Sequence, residues 1–487
     1  MANSNTAASG ASKTYDYKIP FVIGASAAGT TIEWYDFYLY GVLAAFFSTQ
    51  FFPPGDPTAQ LLSSLAAFGA GFAVRPFGAA FFGRIGDIIG RKFTFLVTIT
   101  LMGVSTAGVG LLPTYAQIGV LAPIILVALR LLQGLALGGE YGGAAIYVAE
   151  HSPDDKRGAY TSWIQTTATV GLLMALVAIL FFRSILSPED FTSYGWRIPF
   201  LLSGVLVVLA LYVRLRLQET PLFTRLKDAG KSSTSPWRES FGNPGNRRLI
   251  LLALMGMTAG QAVVWYQGQF QALFFLQNTL QIDYVKSYLI VGVAIVLATP
   301  FFLVFGRLSD RIGRKRIILG GCLLAAITYV PIYMLMQQFA GPGTPGTSAT
   351  GAAITLHLTP NVPALIALVW IQIFYVTMVY GPIAAFLVEY FPARIRYTSL
   401  SIPYHIGNGW FGGFLPLIAA ALAASTGNPL AGLAYPIIVA LMTVVIGGLF
   451  IRETKNVRIW DEVGGHRTPA QDREAAEAAA AGGGLTG

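Results

Sequence analysis

The sequence predicts an all-α integral membrane protein, with twelve transmembrane helices in two six-helix bundles related by a pseudo-twofold axis. Three observations lead there. The 487 residues are 54% hydrophobic and only 11% charged, less than half the charge of an ordinary soluble chain. Apolar runs of about 20 residues, enough to cross ~30 Å of hydrocarbon as helix, recur along the chain. Landmarks of the first half return in the second. This composition excludes a string of soluble domains, which would lack polar surface, and a disordered chain, which could not be so apolar. A single cysteine, Cys322, excludes a disulfide scaffold.

The first 18 residues are polar and lack an apolar core before a cleavage site, so the first span is expected to double as the targeting signal. Spans are read at 20–47, 60–82, 93–112, 118–148, 159–182, 197–217, 248–277, 287–306, 317–337, 363–390, 397–424 and 430–451. Abundant Gly inside them suits helices that approach closely, and weak strand alternation argues against a β-barrel. With the N-terminus in the cytoplasm, all but five of the 32 Lys and Arg fall on the cytoplasmic side. Arg183, Arg197 and Lys286 lie outside, and Arg75 and Arg130 lie within spans. Shifting the topology by one helix would scramble this bias, so both termini are expected in the cytoplasm.

The organisation follows: a cytoplasmic segment over 1–19, bundles over 20–217 and 248–451, and a cytoplasmic tail over 452–487. The basic, Pro- and Ser-containing stretch 218–247 joins the bundles and suits a connector lying on the membrane surface. Across it the sequence repeats. Gly83-Arg84-Ile85-Gly86-Asp87-Ile88-Ile89-Gly90-Arg91-Lys92 matches Gly306-Arg307-Leu308-Ser309-Asp310-Arg311-Ile312-Gly313-Arg314-Lys315 at an offset of 223. Tyr141-Gly142, Glu150, Arg157 and Ser162 return as Tyr380-Gly381, Glu389, Arg396 and Ser401 at an offset of 239. The extra residues are placed in the uncharged GPGTPGTSAT stretch at 341–350, read as an outer loop. Two parallel repeats imply a central site on the pseudo-twofold axis and rocking of the halves about it.

With these residues in view, the chain resembles the major facilitator superfamily, whose signature is the G-x-x-x-D-x-x-G-R-K loop. Three blocks resemble its metabolite:proton symporter family. They are Glu33-Trp34-Tyr35-Asp36-Phe37, Arg75-Pro76-Phe77-Gly78, and Arg130-Leu131-Leu132-Gln133-Gly134 followed by Gly138-Gly139-Glu140-Tyr141-Gly142-Gly143. The resemblance implies a secondary transporter working by alternating access, in a bacterial inner membrane and as a monomer, not an enzyme. It also implies that Gly83, Asp87, Arg91, Lys92, Gly306, Asp310 and Arg314 form conformational latches. There a carboxylate pairs with a helix N-terminus and neighbouring Arg.

Ionisable groups in mid-membrane need a partner or a wet cavity. The N-terminal spans hold Glu33, Asp36, Glu140, Arg75 and Arg130; the centres of the C-terminal spans hold almost none apart from His405. Three acids against two guanidinium groups leave one carboxyl free to exchange protons. Glu33 and Asp36, three apart on one helix, are the pair expected to do so, with Asp36 ahead. Fixed salt bridges or hydrogen bonds are the alternative for both. Glu140 is weighed equally as a packing or gating residue. Arg75 and Arg130 are the candidate carboxylate anchors, because guanidinium stays charged and binds bidentately. By resemblance, the R-x-x-x-G-x-x-x-G run from Arg130 is also tied to proton movement.

Polar residues that lipid would leave unsatisfied complete the expected substrate site: Tyr35, Gln165, Gln261, Trp265, Tyr266, Gln269, Tyr404 and Asn408. Trp265 and Tyr266 could instead form an interfacial belt, and His405 is read as a hydrogen-bonded packing residue. A nucleotide-driven pump is excluded, since Gly230-Lys231-Ser232 lacks the leading Gly of a phosphate loop, with Arg225 in its place. Four scattered histidines give no metal site, and neither metal nor cofactor is expected. The expected function is proton-coupled uptake of a small organic acid. Its alternatives are a zwitterionic osmolyte such as proline or betaine as substrate, an uncoupled facilitator, and a non-transporting sensor.

Overall fold

A computed structural model describes residues 19–55, 57–89, 91–215, 221–228, 233–347, 353–459 and 461. The expected N-terminal segment up to residue 18, most of the tail and part of the connector lie outside the described residues, as do the side chains of Arg91 and Lys92.

The described residues form successive helical rods in the predicted order. In the first half these are α1 (Ile19–Val42), α2 (Ala59–Ile88), α3 (Arg91–Leu111), α4 (Leu121–Glu150), α5 (Asp154–Ile185) and α6 (Arg197–Leu215). The second half has α7 (Pro244–Thr279), α8 (Tyr284–Ile312), α9 (Arg314–Phe339), α10 (Val362–Tyr390), α11 (Ala393–Thr426) and α12 (Ala431–Phe450). Among the described residues, nine helices are long and apolar enough to cross a membrane. The count is ten if Pro188–Gly195, bent by 45° against Arg197–Tyr212, joins it in one span. The polar residues of α1, Glu33 and Asp36 among them, lower its hydropathy, and it is outside that count. The stretch predicted as an outer loop carries a small antiparallel hairpin, Thr344–Thr347 against Ala353–Leu356.

Within the first half α1 packs on α5, α2 on α4, and α3 on α6; in the second, α9 packs on α10 and α12. The halves meet where α5 faces α8 and where α2 faces α11. Those two contacts are each other's repeat equivalents, as a pseudo-twofold axis requires. Large apolar side chains such as Val104, Leu111, Val205, Val208 and Leu449 point outward, the belt a bilayer would cover.

Glycine sets the closest approach. A Cβ on Gly134 would overlap the carbonyl oxygen of Gly71, and one on Gly138 that of Arg75. The glycines after Arg130 therefore let α4 lie backbone to backbone on α2, the packing small residues allow in membranes. Gly138→Leu is expected to prevent correct packing, because rigid backbone cannot yield as a side chain would; overpacking elsewhere already costs about 1–3 kcal/mol. Loss of the monodisperse peak on size exclusion in detergent would register it.

Prolines place the breaks. Pro76 cannot donate to the helix ladder, and α2 turns at Val74 before restarting at Arg75. The break puts Arg75 at the first turn of the new segment, facing the other half. In α10 a similar break falls at Gly381-Pro382. Wide π-type turns interrupt α7 at Leu254–Thr258, Gln267–Gln271 and Phe275–Thr279, and α11 at Gly407–Gly412. Such turns concentrate at functional sites.

Candidate functional site

The buried ionisable residues divide into two groups. The first lies inside the N-terminal bundle. Arg130 donates through Nη1 to Gln133 Oε1 at 2.6 Å and to the Phe37 carbonyl at 3.2 Å. Its guanidinium carbon sits 4.2 Å from the Phe37 ring centroid and 4.7 Å from that of Tyr40. Gln133 in turn donates to Thr106 at 2.8 Å. Glu140, three turns further along α4, accepts from Thr30 and Thr98, each at 3.3 Å, so it ties α1 and α3 to α4. Thr30, Glu33 and Phe37 share one face of α1 by helical spacing, which places the buried Glu33 between the Glu140 and Arg130 contacts. Asp36 is fully buried, borders Ser203 of α6, and neither of its carboxylate oxygens makes a hydrogen bond within the described residues. Two residues from both Trp34 and Tyr38, it lies on the opposite face of α1 from them.

The second group lies between the halves. Arg75 is fully buried, and none of its three nitrogens makes a hydrogen bond within the described residues. Its guanidinium carbon stands 5.3 Å from the Trp34 ring centroid and 5.4 Å from that of Phe72. Tyr38, Tyr266, Tyr380, Tyr404 and His405 are within its electrostatic reach. Trp265 stacks on Tyr38 across the halves at 5.5 Å and 24°. Tyr266 meets Phe72 edge-on at 5.3 Å. Tyr141 and Tyr404 stack face to face at 3.5 Å, and the Tyr404 hydroxyl bonds that of Tyr380 at 2.7 Å. Gln165 donates to the Tyr380 carbonyl at 2.8 Å, and Gln269 donates to Thr169 at 3.3 Å.

Several expected site residues have other partners. Tyr35 points into the N-terminal bundle and donates to the Pro199 carbonyl at 3.0 Å, so it does not join the group at the interface. Gln261 and Asn408 bond each other through both amides at 3.1 Å, which satisfies two polar groups inside the C-terminal half. Trp265 and Tyr266 are buried against the other half and are not an interfacial belt. His405 is buried with neither ring nitrogen hydrogen-bonded within the described residues, contrary to its reading as a hydrogen-bonded packing residue. Tyr38, Tyr141 and Tyr380 were missing from the expected site. Tyr141 and Tyr380 are repeat equivalents, and that pairing was the available signal.

At the end carrying the signature loops, the halves are joined reciprocally. Asp310 accepts from the Gly158 and Ala159 amides at 2.8 and 2.9 Å, near the start of α5, and pairs with Arg314 at 2.8 Å. Asp87 accepts from the Thr398 amide and hydroxyl at 3.0 and 2.7 Å, near the start of α11. Arg157 pairs with Glu389 at 2.9 Å, and Arg396 with Glu150 at 3.3 Å. Each pair is the repeat image of the other. Gly306 faces Ser162 and the Gly158 carbonyl so closely that a side chain there would hold the halves apart, and Gly83 packs tightly against Thr398.

Two further segments close this end. The connector helix Pro236–Gly242 does not lie out on the membrane surface. Trp237 donates to the Ala80 carbonyl of the first half at 3.2 Å, while Ser240 bonds Ser399 at 2.8 Å and Glu239 pairs with Arg394 of the second. After α12, Glu453 caps the start of α9 through the Arg314 and Lys315 amides, and Thr454 donates to Glu389. At the far end Tyr288 of α8 donates to the Val42 carbonyl at 3.0 Å, and Arg183 stands 5.7 Å from the Tyr284 ring centroid. The halves therefore touch at both ends in this conformer.

The sequence pattern of the Major Facilitator Superfamily matches residues 26–344. The chain belongs to the major facilitator superfamily. Within it, the chain is 31% identical over 460 residues to a proline/betaine transporter of Salmonella typhimurium, covering 91% of this chain and 85% of that protein. It is 34% identical over 440 residues to the alpha-ketoglutarate permease of Escherichia coli, covering 90% and 95%. The proton:xylose symporter XylE shares the fold at a TM-score of 0.70 and 18% identity, with 90% of this chain and 96% of that one aligned. This facilitator is therefore a multi-pass membrane transporter of small metabolites and not an enzyme.

Proposed function

We propose that this facilitator imports a small organic acid together with protons across a bacterial inner membrane, as a monomer with both termini in the cytoplasm. The observation that carries the reading is Arg75, a buried guanidinium without a hydrogen bond within the described residues, held at the interface of the halves. A permanent cation there suits a carboxylate, since a buried charge needs a counter-charge. The relatives named for alpha-ketoglutarate and for proline/betaine all carry substrates with a carboxylate. Arg130 is assigned to the proton side, because its hydrogen-bond and ring partners Gln133, Phe37 and Tyr40 belong to the first bundle, next to the face of α1 that bears Glu33, although its Nε and Nη2 are without a hydrogen bond within the described residues. Asp36 is the proposed proton carrier. The charge bias of the loops supports the orientation. Uptake into proteoliposomes under an imposed inward proton gradient tests the reading: labelled acid must accumulate, and accumulation must collapse when the gradient is dissipated.

A zwitterionic osmolyte is the second reading, favoured by the proline/betaine relative. A carboxylate on Arg75 would serve it too, with the ammonium group against the Trp265 and Tyr38 rings.

The reciprocal aspartates are proposed as latches of the cytoplasmic end. Asp87→Asn is expected to open it, since charge-assisted hydrogen bonds contribute about 1.5–3 kcal/mol, enough to shift a two-state balance more than about tenfold. Spin labels placed on the loop ends of α2 and α11 should report a longer distance population by electron–electron resonance. An unchanged distribution would remove the latch assignment.

A further inference from the structure

The end of the molecule away from the signature loops carries three basic residues, and two of them are already satisfied. Arg197 donates to the Gly110 and Leu112 carbonyls at 2.9 and 2.6 Å, and Lys286 donates to the Leu358 carbonyl at 3.1 Å. Arg183 makes neither a hydrogen bond nor an ion pair within the described residues. Its guanidinium carbon rests 5.0 Å from the ring centroid of Phe191, just after α5, and 5.7 Å from that of Tyr284, the first residue of α8. The neighbouring acids are turned to other tasks. Asp190 accepts from the Ser187 hydroxyl at 2.8 Å, Asp283 caps α8 through the Val285 and Lys286 amides, and Glu189 is exposed. Beside Arg183 an open crevice of about 340 Å³ runs between the two halves. Val177, Leu180 and Phe181 of α5 form one wall, and Val285 and Leu289 of α8 form the other. Arg183 is two residues from the end of α5, at the depth of lipid headgroups. Val177 lies six residues deeper, about 9 Å of helix towards the bilayer centre.

We infer that this crevice binds one anionic phospholipid, with its phosphate on Arg183 and an acyl chain between α5 and α8. The order of groups with depth selects the occupant. A guanidinium at headgroup level binds phosphate bidentately, and the walls below it present exposed apolar side chains such as Val177, Phe181, Val285 and Leu289. A free phosphate or a soluble acid would leave that apolar surface uncovered. A lipid chain covers it, and the bilayer supplies the lipid at high local concentration. A zwitterionic headgroup would bring a second cation up to Arg183, so an anionic one fits better. The Phe191 and Tyr284 rings hold the guanidinium in place without neutralising it. Because the walls belong to different halves, and Tyr288 joins the halves close by through the Val42 carbonyl, a lipid seated there holds this end closed. Such a ligand shifts the rocking equilibrium towards the conformer that forms the crevice.

Native mass spectrometry of the full-length protein, titrated in detergent with phosphatidylglycerol or phosphatidylethanolamine of identical chains, tests the site. Wild type is expected to bind its first phosphatidylglycerol about fivefold more tightly, the effect of one Lys or Arg on an anionic lipid at the membrane surface. Arg183→Ala should remove that preference and Arg183→Lys should keep most of it, while Lys286→Ala should leave it unchanged. Leu289→Trp, which fills the crevice, should weaken the first lipid of either kind with Arg183 intact. Equal binding of the two lipids by wild type, or equal losses in Lys286→Ala and Arg183→Ala, would overturn the headgroup assignment. Unchanged binding by Leu289→Trp would overturn the crevice. A protein dimer that Leu289→Trp abolishes would make a second copy of the chain the occupant and overturn the lipid. Spin labels on the exposed Thr192 and Thr279, one in each half, should show a larger short-distance population in vesicles containing phosphatidylglycerol than in vesicles without it. An identical distribution in both would overturn the bridging of the halves.

Discussion

Arg75→Ala is expected to abolish uptake and to leave the protein folded. Arg75 is buried among aromatic rings with the Tyr266 side chain as its polar neighbour and no ion pair within the described residues, so truncation removes an uncompensated charge and breaks no salt bridge. Removing such a charge does not destabilise a core in the way that orphaning a partner does. Melting in detergent is therefore expected to be unchanged or slightly raised. Binding is affected in the opposite way, because a charge-assisted, bidentate contact to a carboxylate disappears in a site with little competing water. Truncating one side of a desolvated charge pair costs about 2–5 kcal/mol, which is on the order of a hundredfold or more in affinity. Arg75→Lys retains charge without the planar fork and should fall between. Wild-type uptake by Arg75→Ala, measured alongside its melting curve, would show that the anchor lies elsewhere.

The second large effect is loss of coupling in Asp36→Asn. Asp36 sits on the face of α1 turned away from Trp34 and Tyr38, beside Ser203, with neither oxygen hydrogen-bonded within the described residues. It is separate from the Arg75 site, so removing its proton chemistry should not disturb substrate binding. The asparagine stands in for the protonated carboxyl and cannot release a proton. Gradient-driven accumulation should fall at least about tenfold, while exchange of labelled for unlabelled substrate at equal pH continues. Glu33→Gln provides the comparison on the neighbouring face. Should Glu33→Gln uncouple and Asp36→Asn not, the carrier is Glu33. Should neither do so, proton movement does not use α1.

How much of this was legible beforehand varies with the kind of information. Helix order is written in apolar run length, whereas the breaks at Pro76 and Pro382 were not read, and the expected spans 60–82 and 363–390 run through them as continuous helices. The reciprocal joining of the halves was legible from the repeat: the offset that relates Asp87 to Asp310 and the one that relates Glu150 to Glu389 predict matched partners, and the pairs to Thr398 and Ala159, and to Arg396 and Arg157, are matched. What could not be read was helix rotation. A transmembrane helix buried on one side by protein and on the other by lipid has no polar face to fix its phase, so Tyr35 was read as a site residue and Trp34 was not, although Tyr35 turns to Pro199 and Trp34 to Arg75. For the same reason Gln261 and Asn408 looked like ligands when they satisfy each other. The connector was read by its charge as a membrane-surface segment; Trp237 and Ser240, which seat its helix under both halves, carry no signal of a partner in sequence alone.

The central claim is that proton and acid travel together, the proton through the α1 acids and the acid on Arg75. It is tested most directly by recording both fluxes in the same vesicles, using a pH-sensitive dye trapped inside proteoliposomes and labelled acid added outside without any imposed gradient. The account predicts that inward movement of acid acidifies the lumen, that Asp36→Asn removes the acidification while exchange persists, and that Arg75→Ala removes both. Acid entry with no change in lumenal pH in the wild-type protein would contradict it.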